Sequence, residues 1–183
     1  SSYQLEYSKI FKSKYAVVLN LSPDHIERHK TLKKYIKTKF KLLHSQLKGH
    51  LAFVKKDDFL INKELKSNRF ACKIIKVSTK KIDQFLETIK NKYFLTDTNK
   101  ENLSFVLEIS KKLKLKHSLI IKTIQKFNGL KYRQQIILKN KYLTIINDSK
   151  STSFSSTINL ISSMNNVFWI LGGLPKEGDK FKF

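Results

Sequence analysis

Three short polar stretches follow apolar runs in this 183-residue chain. Asn20-Leu21-Ser22-Pro23-Asp24-His25 closes the run 15–21, Asn147-Asp148-Ser149-Lys150-Ser151-Thr152 follows 142–146, and Gly172-Gly173 through Lys176 follows 167–171. Open α/β sheets bind their ligands just beyond the carboxyl ends of their strands. If the apolar runs are strands, these stretches line a binding edge. Each also reads as a solvated loop that caps the next helix, a routine task for Asp or Ser.

The elements that would position them come from apolar spacing. The unbroken run 15–21 predicts a fully buried strand of a parallel sheet. Leu32, Tyr35, Ile36, Phe40, Leu43 and Leu47 recur at helical spacing and predict a helix over 31–47. Residues 51–54, 59–61 and 71–77 read as strands, and 81–93 as a helix or mixed segment. Helices are expected at 99–113 and 117–127, with Gly129 as the stop. Two strands, 135–138 and 142–146, flank a hairpin turn at 139–141. A helix over 152–163 and a buried strand over 167–171 complete a βαβ order. The expected class is α/β, with a boundary near Gly129 that separates 1–129 from 130–183.

The net charge is +23, which invites a nucleic-acid reading. Only Arg28, Arg69 and Arg133 are arginines, however, and readers of bases and phosphates lean on the guanidinium fork. Lys, Ile, Asn and Phe are also what A/T-rich codons encode, so compositional drift accounts for the charge equally well. The single cysteine, Cys72, can form no internal disulfide and suits a reducing compartment. No apolar run approaches the ~18 residues of a membrane span.

In order and spacing, these motifs resemble the Mur ligases. Ser1-Ser2-Tyr3-Gln4-Leu5-Glu6, then Leu19 through His29, then Tyr35-Ile36-Lys37-Thr38-Lys39 match the family's central domain. Asn99-Lys100-Glu101-Asn102 is similar to its Asn-x-x-Asn helix start. Tyr132-Arg133, the 147–152 stretch and the Leu-Gly-Gly turn resemble the opening of its C-terminal domain. The implied fold is α/β: the remainder of a central ATPase-type domain followed by the start of a Rossmann-like C-terminal domain.

The resemblance also implies a reaction. The family joins a carboxylate to an amine with ATP and Mg²⁺, by way of an acyl phosphate and a tetrahedral intermediate. The branch resembled most adds D-glutamate to UDP-N-acetylmuramoyl-L-alanine in peptidoglycan synthesis. His25 is then expected as a magnesium ligand, although imidazole is not the usual partner of that hard ion. Lys39 matches the lysine that becomes a carbamate, an anionic oxygen donor able to serve the metal. Asn99, Asn102, Arg133 and Asp148 are expected at the nucleotide. Ser1 and Gln4 face the UDP-linked substrate, and Lys150, Thr152 and Lys176 face the amino acid. Helix capping for Asn99 and a solvated turn for Lys176 stand as competing readings.

Both ends read as cuts through structure, so an internal segment of a longer cytoplasmic, monomeric enzyme is expected, with no nucleic-acid or membrane partner. No Gly-x-x-x-x-Gly-Lys-Ser/Thr loop occurs in these residues, and the segment alone is expected to be inactive. The alternatives are another Mur ligase, a folylpolyglutamate synthase-like ligase, or a lysine-rich nucleic-acid-binding module.

Overall fold

The computed structural model describes residues 1–80 and 82–174, without the side chains of Leu95, Ser155 and Asn159. Lys176 lies outside the described residues. The chain divides into two compact units, Ser1–Lys81 with Ser104–Leu113, and Ile82–Leu103 with Lys114–Phe183.

The first unit is a parallel sheet with helices on both faces. Strands β1 (Tyr15–Val18), β2 (Leu51–Lys55) and β3 (Lys73–Val77) lie in the order β1-β2-β3, all parallel. Tyr15 pairs with Leu51, and Leu51 with Lys73. Between β1 and β2 run α2 (Ile26–His29) and α3 (Leu32–His44), and between β2 and β3 runs α4 (Phe59–Ser67). Alternate residues of β2 point to opposite faces. Ala52 and Val54 join Ala16, Ile36, Phe40, Leu43 and Ile61, while Phe53 joins Val77 and Phe105 on the other side. A central strand buried on both faces must be apolar where it is buried, as Ala52, Phe53 and Val54 are. Helix α1 (Ser2–Tyr7) precedes the sheet.

Several expectations need correction here. Residues 59–61 are the first turn of α4, not a strand. The Asp58 carboxylate accepts from the Ile61 amide at 2.9 Å and caps the helix. The same carboxylate accepts from the Leu21 amide at 3.3 Å, so one side chain fixes both α4 and the loop after β1. Helices α1 and α2 are too short for spacing to reveal, at six and four residues.

The second unit contains α5 (Ile82–Ile89), a 3₁₀ turn (Lys92–Leu95), the start of α6 (Asp97–Lys112), α7 (His117–Lys126), the antiparallel pair β4 (Gln135–Lys139) and β5 (Thr144–Asn147), and α8 (Phe154–Ser162). The register of the hairpin shifts between Ile136 and Leu138. Residues 167–171 form no strand, and Phe168 and Ile170 are each 97% exposed. A strand needs a neighbour for its backbone, and among the described residues none lies alongside. The βαβ order expected there is therefore replaced by a hairpin and a helix, and the stretch from Gly172 does not follow a strand.

Candidate functional site

In the first unit the loop leaving β1 ends at Asp24 and His25. His25 is the N-cap of α2 and has left-handed backbone angles, φ 53° and ψ 36°. For a residue with a Cβ this costs about 1–2 kcal/mol, so the surroundings must hold it. The His25 amide donates to Asp24 Oδ1 at 3.0 Å. Its ring lies between two carboxylates: Nε2 is 3.3 Å from Asp24 Oδ2, and Nδ1 is 3.4 Å from Glu27 Oε1. The Tyr3 ring meets the imidazole edge to face, with centroids 5.0 Å apart.

Lys39 lies on α3, one turn beyond Tyr35, and its Nζ sits 4.6 Å from the centre of the Tyr35 ring. Burial pushes the Lys39 ammonium below the ordinary lysine value, and the nearby negative charge of Asp24 opposes this. Burial, with Asp24 adding to it, pushes the Tyr35 phenol up to about 12. Asp24 therefore touches His25 directly and acts electrostatically on Lys39. Ser1 and Gln4 are both exposed, three residues apart at the start of α1.

The second unit gathers other expected residues around Gln134. Asn99 is buried in the first turn of α6. Its Nδ2 donates to Tyr93 O at 2.8 Å and to Gln134 Oε1 at 3.1 Å. The helix cap is Thr96, whose hydroxyl oxygen accepts from the Asn99 amide at 3.4 Å. That hydroxyl also donates to Gln134 Oε1 at 3.0 Å. The Gln134 amide donates to Asp148 Oδ1 at 3.0 Å, while Oδ2 accepts from the hydroxyls of Ser151 (2.6 Å) and Thr157 (3.4 Å). An ionised carboxylate has about four acceptor positions, and among the described residues three donors reach Asp148.

Arg133 is exposed between two left-handed residues, Tyr132 (φ 65°) and Gln134 (φ 46°). The Tyr93 phenol is raised by burial, with the positive charge of Arg133 lowering it and the negative charge of Asp148 raising it. The Lys150 amide donates to Tyr132 O at 3.0 Å. Asn102 is exposed one turn beyond Asn99, and Thr152 is exposed in the loop before α8.

The residues that sequence reasoning missed are the organisers. Gln134 joins Asn99 to Asp148, and Tyr3 and Glu27 enclose His25. Gln134 lies in no motif, whereas Tyr3 and Glu27 stand inside motif stretches without an expected role, and only the fold brings them to these neighbours.

The family model of the Mur ligase middle domain matches residues 1–129. This chain belongs to the Mur ligase family. Among curated relatives of this Mur ligase chain, a UDP-N-acetylmuramoylalanine--D-glutamate ligase of Rickettsia felis is 29% identical over 97% of the chain and 43% of its own length. Enzymes of the same name from Leptospira borgpetersenii serovar Hardjo-bovis (strain JB197) and from the Wolbachia of Brugia malayi are 33% and 32% identical. They are matched over 98% and 89% of the chain, and over 42% and 35% of their own lengths. The chain thus spans less than half the length of these relatives.

Among the described residues no helix is long and apolar enough to cross a membrane, and no group of three or more His, Cys, Asp and Glu side chains is arranged to hold a metal. Mg²⁺ commonly takes one or two protein groups and completes its shell with phosphate oxygens and water. The Asp24 carboxylate beside the His25 imidazole fits such a partial set.

Proposed function

We propose that this Mur ligase chain belongs to an ATP- and Mg²⁺-dependent enzyme of the cytoplasm that adds D-glutamate to UDP-N-acetylmuramoyl-L-alanine in peptidoglycan synthesis. The observation that carries this reading is Asp24, bonded to His25 and acting on the partly buried Lys39. The names of the curated relatives support the substrate assignment.

In the reaction, a substrate carboxylate oxygen attacks the γ-phosphorus of ATP and ADP leaves. The D-glutamate amine attacks the acyl carbon, phosphate departs, and the ammonium proton passes to solvent or a base. Bound Mg²⁺ supplies positive charge against the phosphate oxygens.

His25 and Asp24 would hold that ion from the β1 loop. Lys39, with its ammonium disfavoured by burial, would present the free amine that takes up CO₂ and loses a proton. The resulting carbamate replaces a repelling cation with an oxygen donor. Arg133 would meet phosphate oxygens, Asp148 would accept from the ribose, and Asn99 and Asn102 would stand near the adenine. Ser1 and Gln4 would face the UDP-linked substrate, and Lys150, Thr152 and Lys176 the incoming amino acid. A monomer suffices for this chemistry.

The test is amide formation by the full-length polypeptide that carries these residues, with D-glutamate exchanged for other amino acids. Product with D-glutamate above all others supports the reading. Preference for a different amino acid moves the chain to another branch, and no ATP-dependent product with any of them refutes the reading.

A further inference from the structure

Helix α2 has only four residues, and both of its caps have positive φ, 53° at His25 and 65° at Lys30. A single helical turn is not stable by itself, and strained caps persist only where the surroundings over-determine them. The contacts that do so converge on Arg28. Its guanidinium carbon lies 5.6 Å from the Tyr3 ring centre and 5.5 Å from that of Tyr7. Its Nε donates to Glu6 Oε2 at 3.1 Å, and its terminal nitrogen donates to the Tyr7 hydroxyl. Tyr3 and Tyr7 are four residues apart on α1 and Glu6 lies on the same side, so α1 presents one face to Arg28. Behind this contact the buried His29 ring meets the Ser2 hydroxyl at 3.1 Å.

We propose that Arg28 is a positioning residue. It clamps α2 against α1 and thereby fixes His25 relative to the Ser1 and Gln4 end of α1. The proposal rests on the reading of His25 given above. Lysine cannot replace it, because an ammonium lacks both the flat face that lies between two rings and the fork that serves Glu6 and Tyr7 together.

The experiment compares R28K, R28M, E6Q and H25A in the full-length polypeptide, with MgATP, UDP-N-acetylmuramoyl-L-alanine and D-glutamate. It reads kcat, each KM and the melting temperature. Displacing a group by about 1 Å costs about a hundredfold in rate. R28K is therefore expected to fold, to melt within a few degrees of the parent, and to lose tenfold or more in kcat with the KM for D-glutamate unchanged. E6Q loses less, and adding it to R28K adds little. If R28M unfolds, R28K alone decides. R28K within twofold of the parent kcat, while H25A is inactive, overturns the clamp and leaves the site reading intact. An active H25A overturns the site reading and the clamp with it.

Discussion

Lys39 pairs a half-buried ammonium with a nearby carboxylate, and the two act on it in opposite directions. Burial is the larger, so its folded pKa lies below the ordinary value of about 10.5. Just under that value the folded chain holds fewer protons than the unfolded chain, and stability rises with pH through the window. In bicarbonate-free buffer, the rise as pH approaches 10.5 from below should be smaller in Lys39→Met, as urea melts would show. With ¹³C-bicarbonate, NMR should show a carbamate carbon in the parent that is lost in Lys39→Arg. A signal that survives this substitution belongs to another amine. At His25 the backbone makes its own prediction: Gly tolerates φ 53° and Ala does not. H25G should therefore be more stable than H25A by about 1 kcal/mol, with both losing activity. The roles proposed for His25 and Lys39 come only from their motif context. Asp24, which contacts His25 and acts electrostatically on Lys39, lay in a polar stretch that read equally well as a cap.

At the scale of elements, apolar spacing located β1, β2, β3, α3, α6, α7 and the hairpin, although β1 buries only Ala16 and Val18 rather than its whole length, and the hairpin strands are largely exposed. It failed at 59–61, where Phe-Leu-Ile resembles a strand and the deciding group is the preceding carboxylate. Asp58→Ala should remove the α4 cap and the tie to Leu21 together, for a loss of about 2 kcal/mol in chemical denaturation. It failed again at 167–171, because hydrophobicity does not report whether a strand has a neighbour. Gly129 was expected as the helix stop, but α7 already ends at Lys126 with Phe127 as an extended C-cap, and Gly129, two residues further on, turns the chain with a φ of 79°. A Cβ there would also stand 2.2 Å from Cε2 of Tyr93. Gly129→Ala should therefore cost more than the φ alone explains, about 2–4 kcal/mol in total. Tyr93→Leu in the same background should recover part of that loss.

For the whole molecule, +23 charges on 183 residues repel one another in the compact state. Raising NaCl from about 0.02 to 0.3 M shortens the Debye length from roughly 20 Å to below 10 Å, and the melting temperature should rise over that range. The same charge gives nonspecific DNA binding that falls steeply with salt; a ligase should retain no tight DNA complex at 0.2 M NaCl. Charge alone could not separate a polyanion binder from an enzyme, whereas the motifs on β1, α3 and α6 pointed to a family. The most direct measurement is ATP-dependent joining of D-glutamate to UDP-N-acetylmuramoyl-L-alanine by the full-length polypeptide, set beside its folded His25→Ala and Lys39→Ala variants. Product is expected from the parent, with a loss of at least about a hundredfold in each variant. Variants as active as the parent would contradict that expectation.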